Sequence, residues 1–84
     1  MMYQILYTRR AEKDILQFEP RMRKRVGERI LFMSKNPFHY AERLTDPHIG
    51  TYRFRIGDYR VIFDIAETSV IILRIGHRRE IYRR

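Results

Sequence analysis

The stretch Tyr52-Arg53-Phe54-Arg55-Ile56-Gly57-Asp58-Tyr59-Arg60-Val61-Ile62-Phe63 sets large apolar residues against arginines on either side of a Gly-Asp pair. Alternation with period two places successive side chains on opposite faces of a strand. Gly57-Asp58 is a two-residue connection, and such a turn fixes the register of the hairpin that it joins. Ile56 therefore faces Tyr59, and Arg55 faces Arg60. Tyr52, Phe54, Ile56, Tyr59, Val61 and Phe63 share one face, which needs a cover. Arg53, Arg55 and Arg60 share the other.

The strand that follows, Val70 to Gly76, has a parity set by the turn near Ala66 to Ser69. An even turn puts Arg74 on the covered face beside Val61, which is costly for a charge. An odd turn puts Leu73 and Ile75 there and sends Arg74 to join Arg60, with Arg78 following; the odd turn is the expectation. Upstream, Met2 to Tyr7 reads as a short strand and Thr8 as the N-cap of a helix. That helix carries Ala11, Ile15 and Phe18 on one stripe, with Arg10 and Asp14 spaced to pair at i,i+4. Pro20 opens a second helix that runs to about Asn36, with Met22, Val26, Ile30 and Met33 on one face, and Pro37 stops it. Phe38 to Gly50 reads as a loop with one helical turn. The expected fold is α+β: two N-terminal helices packed on one face of a small antiparallel sheet, in the order β-α-α-β-β-β, as one domain over 1–84.

The 84 residues suffice for one core and no second one. Eighteen Lys+Arg stand against 10 Asp+Glu, a net charge of +8, and 15 of the cations are arginine. Guanidinium is the planar, forked group that suits phosphate, so the favoured partner is nucleic acid. The absence of cysteine excludes disulfides and Cys-based zinc sites. His39, His48 and His77 are dispersed and the four glycines lie far apart, so no metal, cofactor or phosphate loop is expected. No leader pattern is visible and no apolar run approaches the ~20 residues of a membrane span. A soluble cytoplasmic protein is expected, with no membrane partner.

Like charges directly opposite each other weaken a sheet. The only carboxylates within the hairpin are Asp58, in the turn, and Asp64. The arginine face thus reads as an anion site, while Tyr52 and Phe54 point the other way, into the core. His77 is the one nearby side chain suited to proton transfer at neutral pH, against a plain role at the core edge. Tyr82 can stack on a base or hold a ribose hydroxyl, against simple packing on the sheet.

With Gly76-His77-Arg78-Arg79-Glu80-Ile81-Tyr82 added, the hairpin resembles the RelE/ParE superfamily of type II toxin–antitoxin toxins, the RelE branch in particular, and the element order matches along nearly the whole chain. The resemblance implies a fold like that of the microbial ribonucleases and an endoribonuclease that cuts mRNA in the ribosomal A site. It implies attack by the 2′-hydroxyl on the adjacent phosphate, leaving a 2′,3′-cyclic phosphate and a 5′-hydroxyl. Family positions fall on Arg53, Arg55, Arg60, Arg78 and Tyr82 as the catalytic set, to which the proton-transfer reading of His77, made from its own chemistry, adds a further candidate. RNA contacts are expected from Arg53, Arg55, Arg60, Arg74, Arg78 and Arg79. The implied partners are mRNA, ribosomal RNA and a cognate acidic antitoxin that covers exposed apolar positions such as Ile62 and Ile72. Relatives often carry lysine at the positions of Arg53 and Arg55; arginine stays protonated and is a poor general base. The lack of an evident base motivates the alternatives, a ParE-like inhibitor of DNA gyrase or a non-catalytic nucleic-acid-binding homologue.

Overall fold

The computed structural model describes residues 2–46 and 48–82; of the expected 1–84 span, Met1, Pro47, Arg83 and Arg84 lie outside it. Strand β1 (Gln4–Tyr7) leads into helix α1 (Arg9–Leu16), helix α2 (Pro20–Met33) and a single turn, α3 (Pro37–Tyr40). Strands β2 (Glu42–Arg43), β3 (Tyr52–Ile56), β4 (Tyr59–Ala66) and β5 (Ser69–His77) follow. The sheet runs β1-β5-β4-β3-β2, with β1 parallel to β5 and every other pair antiparallel.

Local chemistry sets the helices. Thr8 Oγ1 accepts from the Ala11 N–H at 3.1 Å, so the expected cap is present. Arg10 and Asp14 pair at 3.6 Å. Pro20 opens α2, which ends at Met33, three residues before the expected Asn36. Val26, Ile30 and Met33 from α2 and Ala11 from α1 meet Phe54, Ile56, Val61 and Phe63 in one core. The helices therefore cover the face that the alternation assigned to them, and Arg55 lies opposite Arg60 as expected.

Three expectations need correction. The turn after β4 is even, since Ala66 pairs with Ser69; the parity change comes instead from a bulge where Ile62 faces Arg74 and Phe63 faces Ile72. Leu73 is the extra residue, and it turns away from the helices towards Ile62 and Gly50. Keeping Arg74 out of the core was the right demand, but a bulge satisfied it. Secondly, Ile62 and Ile72 are both fully buried. Ile72 belongs to the helix-covered core, whereas the segment after β2 folds over Ile62, bringing the Gly50 backbone against it. Thirdly, the sheet gains a short edge strand, β2, inside the region read as loop. Among the described residues no helix is long and apolar enough to cross a membrane.

Candidate active site

The arginine face is a track along the β3–β4 hairpin. Arg53 and Arg55 project from β3, and Glu42, directly opposite Arg53 on β2, projects to the same side. A single oxygen, Glu42 Oε1, accepts from Arg53 Nε at 3.0 Å and from Arg55 Nε at 2.6 Å. Arg53 Nη1 then donates to the Tyr82 hydroxyl at 2.7 Å. These bonds use mainly the inner nitrogens, which leaves the Arg55 terminal nitrogens facing outwards with no partner among the described residues.

Arg60 behaves differently. It is 7% exposed and its Nη1 donates to the Gly57 and Tyr59 carbonyls, both at 2.9 Å. Turning towards the hairpin end carries it away from Arg55, which Glu42 draws the other way; the expected repulsion is thereby relieved. Arg78 stands at the same end, its N–H on the Asp58 carbonyl at 2.8 Å and its Nε 3.7 Å from the Asp58 carboxylate.

Tyr82 reaches the track because the chain turns back after β5. The Ile81 N–H bonds the His77 carbonyl at 2.9 Å, and the buried Ile81 side chain lies against Gly76, where there is no side chain in its way. An open depression of about 320 Å³ adjoins Arg53 and Tyr82, walled by Leu44, Thr45 and Ile49.

The notion that the arginines lack carboxylates is corrected by Glu42. A two-residue strand is too short to leave a periodic signal, so nothing local marked Glu42 as their neighbour. Arg74 does not join Arg60 either. The bulge turns it to α1, where its Nε donates to Asp14 Oδ2 at 2.8 Å and the same oxygen takes the Ile75 N–H at 2.9 Å. His77 pairs with Tyr59 on the helix-covered side, its ring edge-on at 5.7 Å, and its Nδ1 accepts the Arg79 N–H at 3.1 Å. The structure therefore brings together Arg53, Arg55 and Tyr82, sets Arg60 and Arg78 further along, leaves Arg79 exposed, and keeps His77 apart.

A family model described as the ParE toxin of the type II toxin-antitoxin system, parDE, matches residues 5–82. Toxin RelG of Mycobacterium tuberculosis is 34% identical over 87 residues, covering 100% of both chains. The chain belongs to the RelE/ParE superfamily, and it is a type II toxin. A chain of the toxin–antitoxin complex RelBE2 from M. tuberculosis superposes on this toxin with a TM-score of 0.84 at 31% identity, over 93% of each chain. A chain of the archaeal RelE–RelB complex from Pyrococcus horikoshii shares the fold, with a TM-score of 0.75 at 22% identity over 95% of this toxin and 99% of that chain.

Electrostatics in the toxin follow from these contacts. Slight burial pushes the Glu42 carboxyl up, but the hydrogen bonds and charges of Arg55 and Arg53 outweigh it and hold the group below the ordinary glutamate value. The Tyr82 hydroxyl, and after it Glu42, hold Arg53 more firmly protonated than a free arginine, against burial. A folded-state value below the unfolded one means that the Glu42 contacts stabilise the fold at neutral pH and are lost as pH falls through the lowered value. The group is well exposed, so the effect on stability is small. A carboxyl-carbon NMR titration is expected to place Glu42 below an ordinary glutamate and to move it upwards in Arg55→Gln. An unchanged midpoint in that variant would show that Arg55 does not hold the carboxylate.

Proposed function

We propose that the toxin is a ribosome-dependent endoribonuclease of the RelE kind, acting in the cytoplasm on mRNA in the A site and held in check by a cognate acidic antitoxin. The observation that most supports this reading is the meeting of Arg53 and Arg55 with Tyr82, which is distant from them in sequence, on one face with outward guanidinium nitrogens.

In the proposed reaction the 2′-oxygen forms a bond to the adjacent phosphorus while the bond from phosphorus to the 5′-oxygen breaks. The 2′-hydroxyl loses its proton and the departing 5′-oxygen gains one. Negative charge grows on the non-bridging oxygens, and Arg53 and Arg55 are donors fixed before the reaction begins, with Arg78 towards the hairpin end and the nearly buried Arg60 adding its charge from behind the turn. Because Arg53 donates to Tyr82, the tyrosine keeps its own O–H to donate to a phosphate oxygen, and its ring is open to a base. His77 has no step, since it lies across the sheet with its Nδ1 engaged. Arg79 serves as an outer contact to RNA backbone.

A gyrase-directed activity is the second reading, favoured by the ParE description of the matching family model. Purified toxin added to programmed ribosomes and, separately, to gyrase distinguishes the two. Discrete cuts by primer extension, with 5′-hydroxyl ends and unimpaired supercoiling, are expected. Intact mRNA with blocked supercoiling would overturn the ribonuclease reading.

A further inference from the structure

Helix α2 carries a charge arrangement from which its own folding gains little. Arg21, Arg23, Lys24, Arg25 and Arg29 stand against one acid, Glu28. Arg21 and Arg25, and again Arg25 and Arg29, are like charges at i,i+4, which oppose helix formation. The first turn holds Arg21 and no acidic residue, at the end of the helix where the dipole disfavours cations. Arg23 turns inwards to the Phe18 carbonyl at 3.1 Å. Arg21, Lys24, Arg25 and Arg29 stay exposed, and among the described residues no carboxylate lies within 4 Å of any of them.

Their position joins them to the arginine track. The apolar face of α2 meets the sheet on the side opposite Arg53 and Arg55, yet Arg25 Nη2 lies 3.8 Å from where a β-carbon on Gly57 would stand. Arg60 and Arg78 bond the same turn from the other side. Cations thus stand on both sides of the Gly57-Asp58 turn, Arg78 and the nearly buried Arg60 on one and Arg25 on the other, with the exposed Asp58 carboxylate between them held by Arg78.

We infer that this α2 surface is a second binding site for RNA backbone phosphate, continuous with the proposed cleavage site and engaging ribosomal RNA beside the message. The inference rests on the ribonuclease reading. The α2 patch is bounded by Arg21, Lys24, Arg25, Glu28 and Arg29, and the one apolar group set against it is the half-exposed Phe32 ring, 5.1 Å from the Arg29 guanidinium. A peptide that folds on binding needs apolar burial to offset its ordering, whereas a phosphate backbone needs only charge.

The test uses the full chain with Arg21, Lys24, Arg25 and Arg29 all changed to Gln, a good helix former at exposed helical sites. A control carries Gln at Arg9, Lys13 and Lys35, exposed cations outside the belt. Association with programmed ribosomes is measured from 50 to 300 mM salt, alongside cleavage by wild type. The fourfold variant is expected to bind more weakly, to raise KM, and to lower the magnitude of the slope of log K against log salt by about 3, from four lost phosphate contacts at about 0.7–0.9 each. Unchanged slope and affinity overturn the inference, and so does an equal loss per charge in the control, which would mean bulk charge alone. Loss of antitoxin binding with ribosome affinity intact also overturns it, assigning the patch to a protein. If wild type binds ribosomes but cuts nothing, the ribonuclease reading fails, while the slopes still decide whether α2 holds RNA.

Discussion

Arg53→Ala is expected to slow cleavage of ribosome-bound mRNA by about 10²–10³-fold, the loss typical of removing one fixed donor to developing oxyanion charge. Arg53 is the arginine that touches both Glu42 and Tyr82, so its removal takes away a donor and also frees the tyrosine. Arg53→Lys is expected to recover only part of the rate, because an ammonium cannot hold Glu42, Tyr82 and a phosphate oxygen with one planar fork. Tyr82→Phe, which keeps the ring and loses the bond to Arg53, is expected to be milder than either Arg53→Ala or Tyr82→Ala. Single-turnover primer extension with saturating ribosomes reads the chemical step. Arg53 is partly exposed on the edge-proximal strand β3, so the alanine variant is expected to melt near wild type. A cutting rate within threefold of wild type would remove Arg53 from the reaction.

Gly50→Ala is expected to lower stability by about 2–4 kcal/mol, combining overpacking with a disfavoured backbone angle. Gly50 has φ +150° and its backbone presses on the arginine face of the sheet. A β-carbon there would collide with Ile62 Cγ2 and stand 3.1 Å from Leu73 Cδ1. Ile62 has little room to yield: its Cγ2 is fixed to a β-branched carbon in the central strand β4, and the residue is 0% exposed. For a domain of this size the melting temperature should fall by roughly 10 °C or more. Ile62→Ala removes the opposing methyl, so the double variant is expected to lose less than the sum of the two single losses. A Gly50→Ala melt within 2 °C of wild type would mean that the loop lifts away from Ile62 at little cost.

The hairpin was legible in the sequence because a two-residue turn leaves one register open, and Arg55 duly faces Arg60. The helices were legible from Thr8, Pro20 and the stripe of Val26, Ile30 and Met33. The expected face of Arg53 and Arg55 held, along with the expected burial of Phe54 and Phe63. What stayed hidden depends on contacts between distant segments. The bulge at Leu73 answers packing on both faces of the sheet at once, and no local residue pattern announces it. Glu42 becomes a partner of the arginines only when a two-residue strand pairs with β3. Asp14 looked like half of a helical pair with Arg10, yet it also caps the open edge of β5 through Arg74 and Ile75. Ile62 sits on the polar side of an alternating strand and gave no hint of the loop that covers it.

The pairing of β1 with β5 carries a consequence for the order in which the molecule is made. Gln4 lies beside Ser69, and Thr8 takes the Ile72 carbonyl, so the first strand waits for the last. Synthesis delivers β1, α1 and α2 before β3, β4 and β5, on which they pack, and a helix of eight residues such as α1 is marginal alone in water. Local segments therefore cannot settle early, and closure is governed by long-range pairing, which slows folding. Arg78 and Tyr82 follow β5 along the chain, and the Arg53–Tyr82 contact forms only when that strand has docked. A growing chain of this toxin thus carries its arginines well before it has a site.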